Sequence, residues 1–218
     1  LYTELLFHDL AEAALALPGG LDRERVRAAA VHHHRPDSAR PWTCLVQAAD
    51  RLSSGMDRKA KDVAEEALKG PQAFRRQALR SVLAGVKLDG RAVPQPLWLR
   101  PRPADAETIV GTQGFDAAQV EADYVATARA FRAEFRALCR DLRQPADILH
   151  EGMIALGERF WWAVPSSTVD EPDVPLLDHS LSVAAFAACL HAHHAERGEL
   201  ADERAIRNDG GRARLRLL

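Results

Sequence analysis

Residues 115–142 constrain this chain most. Val120, Tyr124, Ala128, Phe131, Phe135 and Leu138 recur every three or four positions, the period of one helix face, so the segment predicts a long amphipathic helix. A helix of that length carries an apolar stripe that other elements must cover. The rest of the chain supplies them as shorter periodic pieces separated by breakers. Leu5, Leu6, Leu10, Ala13, Ala14 and Leu17 predict one helix over 1–17, ended by Pro18-Gly19-Gly20. Asp22 is the N-cap candidate of a second, with Val26, Ala29, Ala30 and His33 on one face until Pro36 stops it. Pro41 suits the first position of a third, whose Leu45, Val46, Ala49 and Leu52 face inward and which ends at Ser53-Ser54-Gly55. Further helices are expected over 147–162 and 180–194, so the chain reads as mainly α.

Three stretches break this pattern. Residues 56–69 mix both charge signs at short range, as a solvated helix does. Residues 82–104 carry Val82, Leu83, Val86 and Leu88 and then Pro94, Pro96, Pro101 and Pro103, which favours short extended segments. The tail holds a turn signal at Asp209-Gly210-Gly211 and closes on an alternating run, RARLRLL, that predicts a strand.

With 218 residues, 47% hydrophobic and 28% charged, the chain is able to bury a core. Its 29 Lys and Arg against 31 Asp and Glu leave a formal charge of -2, so no global positive field draws in nucleic acid, and any basic surface must be local. No apolar run approaches the roughly 20 residues of a membrane-spanning helix, so no membrane role is expected. Cys44, Cys139 and Cys189 are scattered and odd in number, which points to a reducing cytoplasm. Leu1 stands where an initiator Met is expected, and residues upstream are anticipated.

The residues able to do chemistry gather early. His8-Asp9, His32-His33-His34 and Asp50 lie on three successive predicted helices. Imidazole and carboxylate are the usual ligands of divalent transition metals. The same residues are equally those of helix ends, where a His caps carbonyls or meets a favourable dipole, so spacing alone leaves both readings open. Three adjacent histidines cannot all point one way on a helix. Elsewhere, Asp178 reads as an N-cap with His179 in the first turn, Trp161 and Trp162 as packing aromatics, and His191, His193 and His194 as exposed.

The run His33-His34-Arg35-Pro36, followed by Leu45-Val46-Gln47-Ala48-Ala49-Asp50-Arg51-Leu52-Ser53-Ser54-Gly55, resembles the HD-type domain of the large subunit of type III CRISPR effector complexes, which shows an HH-x-P turn and then an AD-x-LS-x-G segment. A second match lies more than 100 residues on. Val164-Pro165-Ser166-Ser167-Thr168 and Pro172-Asp173-Val174-Pro175-Leu176-Leu177-Asp178-His179-Ser180 are similar to the family's P-x-x-T, P-D-x-x-L-x-DH segment, which leads through a helix into the first palm domain. Leu79-Arg80-Ser81-Val82-Leu83 resembles the short segment that follows the HD domain. The resemblance covers nearly the whole chain.

It implies a helical HD-like domain over 1–81, an extended connecting arm over 82–114, a helical region over 115–203 and the opening strand of a ferredoxin-like palm domain over 204–218. It implies a cytoplasmic ribonucleoprotein of CRISPR RNA and other effector subunits, switched on by target RNA, whose HD domain cleaves single-stranded DNA. Asp50, His33 and His34 take the catalytic and metal-ligand roles, and Arg51, Arg58 and Lys59 contact the nucleic-acid backbone. His8-Asp9 is followed by Leu10-Ala11-Glu12 rather than the family's Ile-Gly-Lys, so it is either the family's metal-binding dyad in a shortened domain or a chance pair with the dyad upstream of Leu1. Manganese, nickel or cobalt suits such mixed ligands. ATP and magnesium belong only to a palm domain carrying Gly-Gly-Asp-Asp, a motif absent from these residues. The competing readings are an HD scaffold without nuclease activity and a free-standing HD nucleotide phosphohydrolase.

Overall fold

A computed structural model describes residues 7–8, 17–36, 40–57, 73–85, 87–88, 91–92, 97–141, 143–167 and 172–209. Their elements are helices α1 (Arg23–His32), α2 (Pro41–Asp57), α3 (Ala117–Leu138), α4 (Ala146–Phe160), α5 (Leu176–Glu196) and α6 (Glu203–Asp209), with short strands β1 (Leu79–Arg80), β2 (Lys87–Leu88), β3 (Arg91–Ala92), β4 (Leu97–Leu99) and β5 (Thr112–Gln113). The protein is therefore mainly helical. No helix among the described residues is long and apolar enough to cross a membrane. The predicted helix over 1–17 is described only at Phe7, His8 and Leu17, and the RARLRLL run lies outside the described residues.

Two compact units divide the chain, and neither is contiguous in sequence. The first draws on 1–57, 141–146 and 180–218, and the second on 58–140 and 147–179.

In the first unit, α2 packs against α1 and α6. Its core joins Cys44, Leu45, Ala48 and Ala49 of α2 to Leu190 of α5 and Ile206 of α6, with Leu52, Phe186 and Leu200 at the margin. Small residues on α2 admit close helix contact, and Leu190 and Ile206 fill what remains. The Asp22 carboxylate caps α1 by accepting from the amides of Glu24 and Arg25 at 2.9 and 3.1 Å, as its sequence position predicts. The inward face of α1 is carried by Ala28, which is fully buried, whereas Val26 is exposed. Gly19 holds φ at 69°, and a Cβ there would fall 2.5 Å from the Ala146 amide nitrogen, so the turn ending at Gly20 tolerates no side chain at this position.

In the second unit, β1, β4 and β5 form an antiparallel sheet in the order β1-β4-β5, with Leu79 opposite Leu99 and Trp98 opposite Thr112. Strands β2 and β3 pair separately as a hairpin. The long helix α3 starts from an Asp116 cap. Its buried side is only partly apolar: Val120 and Phe135 are joined by Asp123 and Thr127. These polar groups tie down the extended arm. Arg100 donates to the Asp123 carboxylate, the Thr127 hydroxyl donates to the Pro101 carbonyl at 2.6 Å, and the Tyr124 hydroxyl donates to the Gln77 carbonyl at 3.1 Å. A segment rich in proline lacks amides for a sheet, and its carbonyls are satisfied here from the helix. Phe131 makes edge contact with Phe160 at 6.0 Å and packs on Trp161 at 5.1 Å, joining α3 to α4. The Trp162 indole donates to the Arg102 carbonyl at 2.9 Å, so both tryptophans serve packing and anchoring.

Helix α5 begins at Leu176, four residues earlier than periodicity suggests, because Pro175 can open a helix. Asp178 consequently lies inside the first turn and is not the cap. Its carboxylate still favours the helix N-terminus through the dipole.

The thiols differ in accessibility. Cys139 is buried, and burial pushes its thiol up to about 11, while Cys44 is also buried and Cys189 is exposed. Only thiolate reacts readily. Maleimide treatment of the folded protein at neutral pH is expected to label Cys189 alone, with Cys44 and Cys139 following on unfolding. Mass spectrometry of the labelled peptides checks this, and labelling of Cys139 at the rate of Cys189 would contradict the packing described.

Candidate metal centre

Helix α1 runs out at His32, and the next residues turn. His33 keeps helical backbone angles (φ -59°, ψ -29°), the Arg35 amide bonds back to the His32 carbonyl at 2.8 Å, and Pro36 prevents further helix. The imidazoles of His33 and His34 thereby come side by side with centroids 4.0 Å apart. Helix α2 starts afresh at Pro41, with Thr43 donating from its hydroxyl to the Arg40 carbonyl at 2.7 Å. Gln47 and Asp50 stand one turn apart on α2. The Gln47 amide donates to the His34 carbonyl at 3.4 Å, holding the histidine turn against the helix.

This turn brings His33, His34 and Asp50 together, each offering one ligand atom, with those atoms within 4.8 Å of one another. His34 Nδ1 lies 3.8 Å from Asp50 Oδ2. That is too long for a hydrogen bond. It is close to the separation of two neighbouring atoms bound to a common ion at about 2.0–2.2 Å. The His33 Nδ1 sits 2.9 Å from the Ala30 carbonyl, which only accepts, so Nδ1 carries the proton and Nε2 has the lone pair. Fixing one ring nitrogen on a backbone carbonyl is how proteins orient imidazole toward a metal. The Asp50 side chain is only 17% exposed, so its charge is largely withdrawn from water, whereas His34 is 73% exposed and leaves the group open to solvent. Two imidazoles and a carboxylate fit a borderline divalent transition ion, with further positions open to water or substrate.

The other sequence-based candidates fall elsewhere. His8 is exposed next to buried Phe7 and is not in this group, and Asp9, Arg58 and Lys59 lie outside the described residues. Arg51 is exposed on α2, following Asp50. His32 is half-buried at the end of α1. Gln47 was assigned no role from sequence. Its signal is a polar residue one turn before Asp50 on the same face of α2.

His194 departs from expectation. It is fully buried rather than exposed, with Nδ1 3.3 Å from Glu199 Oε2, and its Nε2 meets no hydrogen-bond partner among the described residues. The Arg197 guanidinium and then His194 hold the Glu199 carboxyl below its usual value. Helix α5 ends beside this pair, and the Glu199 amide bonds to the His194 carbonyl at 2.8 Å, so the turn closing the helix encloses the imidazole. His191 is exposed and His193 half-buried.

The class defined by these observations is a mainly helical protein with a candidate two-histidine, one-carboxylate centre at a helix–turn–helix junction. Comparison with protein-family models, curated proteins and solved structures returns no match.

Proposed function

We propose that this chain is the N-terminal part of the large subunit of a type III CRISPR effector complex, with its HD-type centre at His33, His34 and Asp50. The observation that carries the reading is the convergence of the HH-x-P turn and the AD-x-LS-x-G helix: residues 16 and 17 positions apart place their ligand atoms within 4.8 Å. The second motif supports it. Val164–Ser167 and Pro172–Leu176 lie alongside one another, with the Ser166 amide on the Val174 carbonyl at 2.9 Å, and the Pro172 carbonyl accepts from the Arg80 amide at 2.7 Å. The segments that carry the resemblance at 79–83 and 164–176 are thus hydrogen-bonded neighbours.

His33 Nε2, a His34 ring nitrogen and the Asp50 carboxylate would hold manganese, nickel or cobalt. When bound, such an ion supplies Lewis acidity toward a phosphodiester and makes water more acidic. His33 is oriented by the Ala30 carbonyl, the His34 backbone is held by Gln47, and Asp50 brings the negative charge. Single-stranded DNA is the substrate in this reading, and CRISPR RNA, target RNA and the other subunits are the partners of a cytoplasmic assembly.

The test is manganese-dependent cleavage of labelled single-stranded DNA by the complete subunit, alone and in the RNA-activated complex. Cleavage that disappears in His33→Ala/His34→Ala with folding intact is expected. An intact complex that never cuts DNA would reject the nuclease and leave an assembly scaffold.

A further inference from the structure

The outer face of α3 has a composition that packing does not explain. Every exposed position of α3 from Ala122 to Ala137 is Ala, Val or Arg, without a carboxylate, an amide or a hydroxyl, and Arg140 and then Asp141 are exposed in the turn that follows. Surface helices normally intersperse both charge signs. At 100° per residue and a rise of about 1.5 Å, Arg129 and Arg136 fall within about 20° of one another and about 10 Å apart along the axis. Arg140 stands in the turn that follows the helix end at Leu138.

The three carboxylates of α3 do not neutralise these arginines. Glu121 pairs with Arg76 at 3.0 Å, Asp123 with Arg100, and Glu134 with Arg159 at 2.8 Å. Each is taken by an arginine from another segment of the same unit. Like charges three and four residues apart, as at Arg129, Arg132 and Arg136, weaken a helix. The exposed alanines between them leave the helix surface low, so an extended anion can approach the guanidinium groups closely.

We propose that these arginines form a docking surface for the sugar–phosphate backbone of a single nucleic-acid strand. Exposed arginines that make no ion pair among the described residues suit a polymer of phosphates, and guanidinium grips phosphate through two parallel hydrogen bonds. A membrane surface is a poor match, because a lipid-seated helix presents large apolar side chains and this face offers only Ala and Val125. The surface lies in the second unit and does not depend on the metal centre of the first.

The test measures binding of a labelled oligothymidylate to the full chain by fluorescence anisotropy across a salt series, in EDTA so that failure of the metal reading cannot affect it. The triple variant Arg129→Gln/Arg136→Gln/Arg140→Gln is expected to bind at least about tenfold more weakly at low salt, with a log–log salt slope shallower by about 2, since each phosphate contact on a single strand contributes about 0.7. The triple Arg→Lys variant is expected to keep the slope. Thermal melting of the Gln variant should be unchanged or raised, because repulsion is relieved. Wild-type chain that does not bind, an unchanged slope, or competition by polyglutamate equal to that of oligothymidylate would each overturn the proposal. So would a melting point lowered by more than about 4 °C in the Gln variant, which would make the arginines structural.

Discussion

Asp50→Asn is expected to reduce manganese affinity by more than about 100-fold, beyond the 10–100-fold that loss of an outer-shell partner costs a metal site. The substitution keeps the shape of the side chain and removes its charge. That charge is the only carboxylate of the group, and it is only 17% exposed, so its attraction for a cation is weakly screened. The readout is calorimetric titration together with thermal shift. Manganese at 100 times its dissociation constant stabilises the folded chain by about 2.7 kcal/mol, and the Asn variant should lose that increment. His33→Ala is expected to behave the same way, since its Nδ1–H bond to the Ala30 carbonyl leaves Nε2 for the metal. His32→Ala, outside the group, should retain binding. An Asn variant that keeps the full metal-induced shift would remove Asp50 from the centre.

The largest effect on folding is expected from Phe160→Ala, at about 3–5 kcal/mol. Phe160 ends α4 with none of its surface exposed and meets Phe131 of α3 edge-on at 6.0 Å and 84°. Its loss opens a cavity where α3 and α4 meet and removes an aromatic pair worth about 0.5–1.5 kcal/mol beyond area burial. The bulky partners Phe131 and Trp161 are themselves in contact and cannot easily collapse into the space. Phe160→Leu, nearer in volume, should cost less than about 1.5 kcal/mol. Urea unfolding followed by tryptophan fluorescence measures both, since Trp161 reports on the affected site. A Phe160→Ala cost below about 1 kcal/mol would mean that the contact between α3 and α4 is not a principal source of the unit's stability.

Much of the local structure was readable from residue order. The Asp22 cap, the helix start at Pro41, the long helix from Asp116 and the arrest of α1 before Pro36 each follow from the conformational limits of one or two residues. The HH-x-P turn and the segment around Asp50 fall on adjacent short helices, but their spacing alone leaves capping and metal-binding readings open, and the ligand roles come from the family resemblance. Where sequence reasoning failed, the cause was either a local boundary set by a neighbouring residue or a contact from far along the chain. Asp178 lies inside the first turn rather than at the cap because α5 already begins at Leu176. His194 was expected in solvent but is enclosed by the turn that ends α5, with Glu199 on its Nδ1. Asp123 and Thr127 look like ordinary polar helix residues until the carbonyl of Pro101 and the guanidinium of Arg100 are brought to them.

The sequence by itself therefore determined that the chain is mainly helical, several helix starts and the chemical types available at the histidine turn, because propensity, capping and the fixed φ of proline act within a few residues. It put the end of α2 at Gly55, the end of α3 at Leu142 and the start of α5 at Ser180, where the structure has Asp57, Leu138 and Leu176. Only the tertiary structure decided that 180–209 joins 17–57 in one unit, which side chains are buried, and that two imidazoles and a carboxylate share one site. It also decided that the carboxylates of α3 are occupied by distant arginines. Burial and ion pairing depend on which surfaces meet, and chain segments far apart in sequence supply those surfaces.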